Sequence, residues 1–132
     1  MPAYDAQRFD PPAALATVTV RTQDGRKGLA DVVMLIDSGS DVTLLPQPSV
    51  IELGLQADQG PTYQLVAFDG RKSVANSVQC DLVFLGSVYR GAYLIAEATC
   101  GILGRDILNH VSLVLDGPHL DWHEGKDQSP NS

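Results

Sequence analysis

Basic residues are scarce in this chain of 132 residues: nine Lys and Arg stand against 16 Asp and Glu, giving a formal charge of −7. Nothing forms a basic stripe, which argues against a nucleic acid or an anionic membrane surface as partner. Cysteine is scarcer still. Cys80 and Cys100 lack Cys-x-x-Cys spacing and have no histidine beside them, so metal ligation is not expected. A disulfide between them stays open, although a reducing compartment disfavours one. No apolar run approaches the length of a membrane span, and the opening Met1-Pro2-Ala3-Tyr4-Asp5 lacks the basic and apolar regions of a signal peptide. The expectation is a cytoplasmic chain with no membrane partner, unless it was cut from a longer protein. Histidine is confined to His110, His119 and His123 near the C-terminus, where surface positions are expected.

What is present begins with Val33-Met34-Leu35-Ile36-Asp37-Ser38-Gly39-Ser40-Asp41. An apolar, β-branched strand here ends on a carboxylate, and low dielectric disfavours the charged form of such a group. The acid must be hydrogen-bonded, paired or used. Ser38 supplies a hydroxyl, Gly39 lets the backbone turn tightly, and Asp41 adds a second carboxylate. Asp-Ser-Gly by itself also marks an ordinary turn.

A second segment, Gly101-Ile102-Leu103-Gly104-Arg105-Asp106-Ile107-Leu108, carries the rest of the argument. It is similar to the hydrophobic-hydrophobic-Gly-Arg-Asp/Asn motif that precedes the short C-terminal helix of retropepsins, the retroviral-type single-domain aspartic proteases. Asp37-Ser38-Gly39 resembles their active-site loop. The two motifs stand in the family's order with a hairpin candidate between them, and the resemblance runs from Leu15 to Trp122.

The resemblance implies an all-β fold: a small closed β-barrel of the acid-protease type with one short C-terminal helix, active as a two-fold dimer. The domain is expected over residues 13–124, after a flexible segment 1–12 and before a disordered tail 125–132. The implied activity is that of an aspartic endopeptidase acting on extended polypeptide, with no cofactor and no metal. The chain has one Asp-Ser-Gly, so the second Asp37 must come from another copy, and the implied partners are the chain itself and a polypeptide substrate. The alternative is an inactive retropepsin-like module that dimerises or binds peptides.

Roles carry over residue by residue. Asp37 is the catalytic carboxylate. Ser38 resembles the hydroxyl that reaches across the two-fold axis, and Gly39 the glycine whose carbonyl faces substrate backbone. Ser40 supports the loop where retroviral members usually carry Ala. Asp41 is expected to bind substrate amides and to form an ion pair with Arg105. Phe68, Asp69, Gly70 and Arg71 fall at the tip of the flap, the hairpin that closes over substrate. Leu35, Val66 and Ile102 are expected to line apolar pockets.

Patterning supplies the remaining elements. Strands are predicted over Leu15–Thr22 and Leu29–Ile36 around Asp24-Gly25, and over Val42–Pro46. Helical turns are predicted from Ser49 to Leu53, and a hairpin around Asp69-Gly70. A strand pair is predicted about Gly86-Ser87, a short helix over Arg105–His110, and a last hairpin ending at Leu120–Trp122. Either that hairpin or the stretch near Leu15 is expected to build the dimer interface.

Overall fold

The computed structural model describes residues 3–57, 63–66 and 69–125. Strand β1 (Ala3–Asp5) lies antiparallel to β2 (Ala13–Arg21), with Ala3 opposite Leu15 and Asp5 opposite Ala13. The opening segment, expected to be mobile, therefore contributes a strand. Its polar sequence hides this because backbone and polar groups make the contacts: Tyr4 N–H donates to Leu120 O at 3.1 Å, and the Asp5 side-chain Oδ1 accepts the Gln7 and Arg8 amides at 2.8 and 3.0 Å.

The β2 strand pairs antiparallel with β3 (Gly28–Ile36), as the alternating sequence predicts. Ala14, Ala16, Val18 and Val20 face inward from β2, opposite Val32 and Met34 of β3. The chain then forms β4 (Leu44–Pro46) and α1 (Gln47–Glu52), whose Val50 is buried. Strands β5 (Tyr63–Val66) and β6 (Lys72–Ala75) make the central hairpin, a two-stranded sheet of its own. Long strands β7 (Ser77–Phe84) and β8 (Ser87–Ala96) follow, turning at Leu85-Gly86, one residue earlier than the predicted Gly86-Ser87. Both turn residues have positive φ, 50° and 79°, the handedness that a tight hairpin needs and that leucine adopts only under strain.

Strand β9 (Gly101–Leu103) is the element that alternation could not reveal, because it is three residues long and pairs with β3 in parallel. It also meets β4 at Leu44, while β4 runs parallel to β8. The ring β2-β3-β9-β4-β8-β7 closes through pairing of β7 with β2, giving a closed barrel of six strands. Gly101 makes the closure possible: a Cβ there would come within 2.5 Å of both Leu44 O and Met34 Sδ. Helix α2 (Arg105–Leu108) then leads to the terminal hairpin of β10 (Leu113–Asp116) and β11 (Asp121–Glu124).

Leu45, Val78, Cys80, Leu82, Leu103 and Ile107 fill the interior together with Met34. Each buried aliphatic side chain of this size is worth about 1.5–3 kcal/mol relative to exposure. Trp122 of β11 joins the core cluster: it is buried, lies at a tilt to Phe84, and donates its Nε1–H to Leu15 O at 2.7 Å. No helix among the described residues is long and apolar enough to cross a membrane. Phe68 and residues 126–132 lie outside the described residues.

Candidate functional site

The parallel pairing of β3 with β9 sets Leu35 beside Ile102 and Ile36 beside Leu103. Both strands therefore deliver their following residues, Asp37 and Gly104, to the same end of the barrel. Asp37 N–H continues the ladder by donating to Leu103 O at 3.1 Å. Its carboxylate is half-buried, and Oδ1 accepts the Gly39 amide at 2.9 Å while Ser40 N–H closes the turn on Asp37 O at 3.1 Å. The carboxylate is thus oriented by its own loop and open toward solvent.

Helix α2 holds the loop from the other side. Arg105 N–H donates to Ser40 O at 2.8 Å, and its guanidinium Nη1 donates to Ser38 O at 3.0 Å. Gly104 is pressed so tightly on the backbone of Val42 and Ser40 that a Cβ would overlap Val42 O. Ser40 Oγ donates to Val42 O at 2.7 Å.

The expected ion pair between Asp41 and Arg105 is not formed in the single chain. The two residues are neighbours through the Arg105–Ser40 backbone bond, but the guanidinium is turned to the Ser38 carbonyl, and Asp41 is exposed without a hydrogen bond or ion pair among the described residues. The tie between loop and helix is made instead by a pair that sequence reasoning missed. Thr43, fully buried, donates its Oγ1–H to Asp106 Oδ1 at 2.6 Å and accepts the Gly104 amide at 3.0 Å, while Thr43 N–H donates to Asp106 Oδ2 at 3.0 Å. The available signal was the one polar residue inside Val42-Thr43-Leu44-Leu45. Its partner, 63 positions away, had no signal at all beyond the motif.

The hairpin of β5 and β6 carries exposed Asp69, Gly70 and Arg71 at its tip. Asp69 Oδ1 accepts the Arg71 amide at 3.0 Å, and Asp69 Oδ2 meets Arg71 Nε at 2.7 Å, so the tip is closed on itself. At its base, Leu65 and Ala75 join a small apolar cluster with Leu44, Leu94, Val42, Ala96 and Ile102. Ile102 thus belongs to an apolar patch under the hairpin, Leu35 is half-buried beside it, and Val66 stands outward at 64% exposure. A separate groove of about 730 Å³, lined by Tyr4, Arg8, Thr17, Asp31, Val33 and Trp122 among others, does not include the loop.

Both cysteines are free thiols, and burial with the nearby Asp81 charge pushes Cys80 up to about 12, which removes it from thiolate chemistry. Burial likewise raises the Tyr93 hydroxyl, which donates to Tyr89 O at 2.6 Å. His110, His119 and His123 are exposed, with His119 Nδ1 2.8 Å from Asp116 Oδ2. Among the described residues no group of three or more His, Cys, Asp or Glu is placed to hold a metal ion.

The candidate site therefore centres on one oriented, half-buried carboxylate on a braced loop, with the apolar cluster of the hairpin reaching Ile102 beside Leu35. Compared with protein-family models and with curated proteins, the chain matches none.

Proposed function

We propose that this chain is an aspartic endopeptidase of the acid-protease barrel type, whose active centre is completed by a second copy related by a two-fold axis. The observation that carries the reading is the Asp37 loop: a carboxylate at the end of a barrel strand, half-open to solvent, with its loop fastened to α2 by the Ser38, Ser40 and Gly104 contacts. Such bracing keeps a reacting group in position at the moment of reaction.

In the dimer two Asp37 side chains come within hydrogen-bond reach. Like charges at that distance do not both ionise, so the pair shares one proton, the behaviour for which aspartic-protease dyads are the standing example. The ionised member takes a proton from a water molecule, whose oxygen bonds to the peptide carbonyl carbon. The protonated member donates to the carbonyl oxygen. Collapse of the tetrahedral species breaks the C–N bond as the amine leaves with a proton. An extended peptide would lie between the β5–β6 hairpin and the loop, pairing by backbone hydrogen bonds with alternate side chains directed to the apolar patch around Ile102.

The test is cleavage of an unbiased peptide mixture at several pH values from about 4 to 7. Wild type is run beside Asp37→Asn and beside wild type with pepstatin. Turnover confined to untreated wild type is expected. Equal turnover in Asp37→Asn would refute the mechanism, and silence in every arm with dimers present would favour a peptide-binding module.

A further inference from the structure

We propose that the end of the barrel remote from Asp37 is a docking surface for an acidic stretch of the polypeptide substrate, received by Arg21, Arg26, Lys27 and Arg90. The inference rests on the endopeptidase reading, which supplies the polypeptide.

The sequence keeps these cations apart, and the fold gathers them. Arg21 ends β2 opposite Gly28, at the mouth of the turn that carries exposed Arg26 and Lys27. Across the sheet Arg21 stands opposite Asp81 of β7, and Asp81 opposite Arg90 of β8. Arg90 also donates from Nη2 to Gln23 O at 3.1 Å, which ties β8 to the same turn. Four of the nine basic residues therefore meet at one end of a chain whose net charge is −7. The acids beside them are already engaged: Asp24 accepts the Thr22 hydroxyl and the Arg26 amide, and Asp81 is gripped by Arg90.

Arg21 distinguishes this surface. Its Nε is the one buried side-chain nitrogen or oxygen among the described residues that has no hydrogen-bond partner. Arg90 takes both Asp81 oxygens, at 2.8 and 3.1 Å, so Arg21 acts on that carboxylate by charge alone. Its stem lies against Gly28, where a Cβ would come within 3.3 Å of Arg21 Cγ, so packing positions the half-buried side chain. A donor enclosed without an acceptor is costly to keep. A carboxylate brought by a polypeptide supplies acceptors that match the planar fork of a guanidinium.

Four cations are few for a nucleic acid, and a chain of charge −7 repels so dense a polyanion. An acidic peptide presents fewer, more widely spaced charges and suits a short basic row. Strand β3 runs from Gly28 at this end to Ile36 beside Asp37, so the surface and the Asp37 carboxylate are about 27 Å apart at the ordinary rise per residue. An extended chain needs at least about eight residues to cover that span, which sets how far from the cleaved bond the acidic stretch begins.

The experiment reads binding and turnover separately. Binding is followed by fluorescence anisotropy on the Asp37→Asn protein, with a labelled Glu-rich peptide, its Gln counterpart and an oligodeoxynucleotide of equal charge. Turnover is followed on wild type with one peptide that it cleaves, made with and without a Glu stretch about ten residues from the cleaved bond. Arg21→Gln and Lys27→Gln, each first checked for a wild-type melting transition, enter both arms. The Glu-rich peptide is expected to bind and the Gln peptide not, with each variant weakening binding at least about fivefold and added salt weakening it further. Each variant is expected to raise KM for the Glu-bearing substrate by a similar factor, leaving kcat and the plain substrate unchanged. Lys27 is exposed, so its variant keeps the test decisive should Arg21→Gln fail to fold. Equal binding of the two peptides, or wild-type binding in both variants, overturns the proposal, and leaves the protease reading standing if cleavage still depends on Asp37. Tighter binding of the oligonucleotide overturns it in favour of a nucleic acid. Peptide binding with no effect of the Glu stretch on KM overturns the substrate role. Absence of turnover with every peptide removes the protease reading, and the docked substrate with it.

Discussion

A buried hydroxyl decides how firmly the Asp37 loop is held. Thr43, just past the loop, binds the start of α2 twice through one hydroxyl, donating to Asp106 and accepting from Gly104. Replacing it by valine keeps the shape and removes both bonds, leaving the Gly104 amide buried with no acceptor. Thr43→Val is expected to cost about 1–3 kcal/mol in urea unfolding, with Thr43→Ser close to wild type. A Thr43→Val chain as stable as wild type would show that the loop is braced elsewhere. The same residue marks the limit of sequence reading at this scale. A threonine among leucines is visible as an anomaly, but the direction of a guanidinium is not, which is why Arg105 was assigned to Asp41 when geometry turns it to Ser38.

At the scale of elements, the alternation that predicted β2 and β3 works because each strand buries one face, with Ala14, Ala16, Val18 and Val20 marking the inner side. It fails for β1, held by backbone bonds, and for β9, too short to show a period. The β7–β8 hairpin adds an electrostatic staple that titrates. Arg90 grips Asp81 with Nε–Oδ1 at 2.8 Å and Nη2–Oδ2 at 3.1 Å, and these hydrogen bonds hold the Asp81 carboxyl below the ordinary range. The folded state therefore favours the ionised form. Its contribution is complete above the unfolded carboxylate value of about 4 and is lost as pH falls through the lower folded value. Melting temperature is expected to drop on that acid limb, and Asp81→Asn to flatten it. Asp5 and Asp24 are also held low by hydrogen bonds, but Asp24 is exposed and Asp5 is less buried than Asp81, so screening by water should make them contribute less. An unchanged acid limb in Asp81→Asn would assign the loss to other carboxylates.

For the whole molecule, ring closure separates a rigid part from a loosely attached one. The barrel strands β2, β3, β7 and β8 each pair on both edges, one edge over a long ladder, whereas among the described residues β5 and β6 pair with each other alone and rest on the barrel through a few apolar side chains. Amide hydrogen exchange is expected to be slowest in β2, β3 and β7 and markedly faster across Tyr63–Val66 and Lys72–Ala75. Equal protection would mean that the hairpin is as fixed as the barrel and opens only with it. The barrel was expected through the resemblance that the Asp37 and Gly104-Arg105 motifs carry, while alternation and turn residues marked most of its strands. Its order was not, because the decisive pairings, β3 with β9 and β4 with β8, are parallel and join distant segments without any local pattern.

That β3–β9 pairing has a consequence in time. Asp37 leaves the ribosome well before Leu103, Gly104, Arg105 and Asp106, the residues that seat and brace its loop. Until they emerge, the Asp37 carboxylate belongs to a turn that lacks the contacts that fasten it in the folded chain.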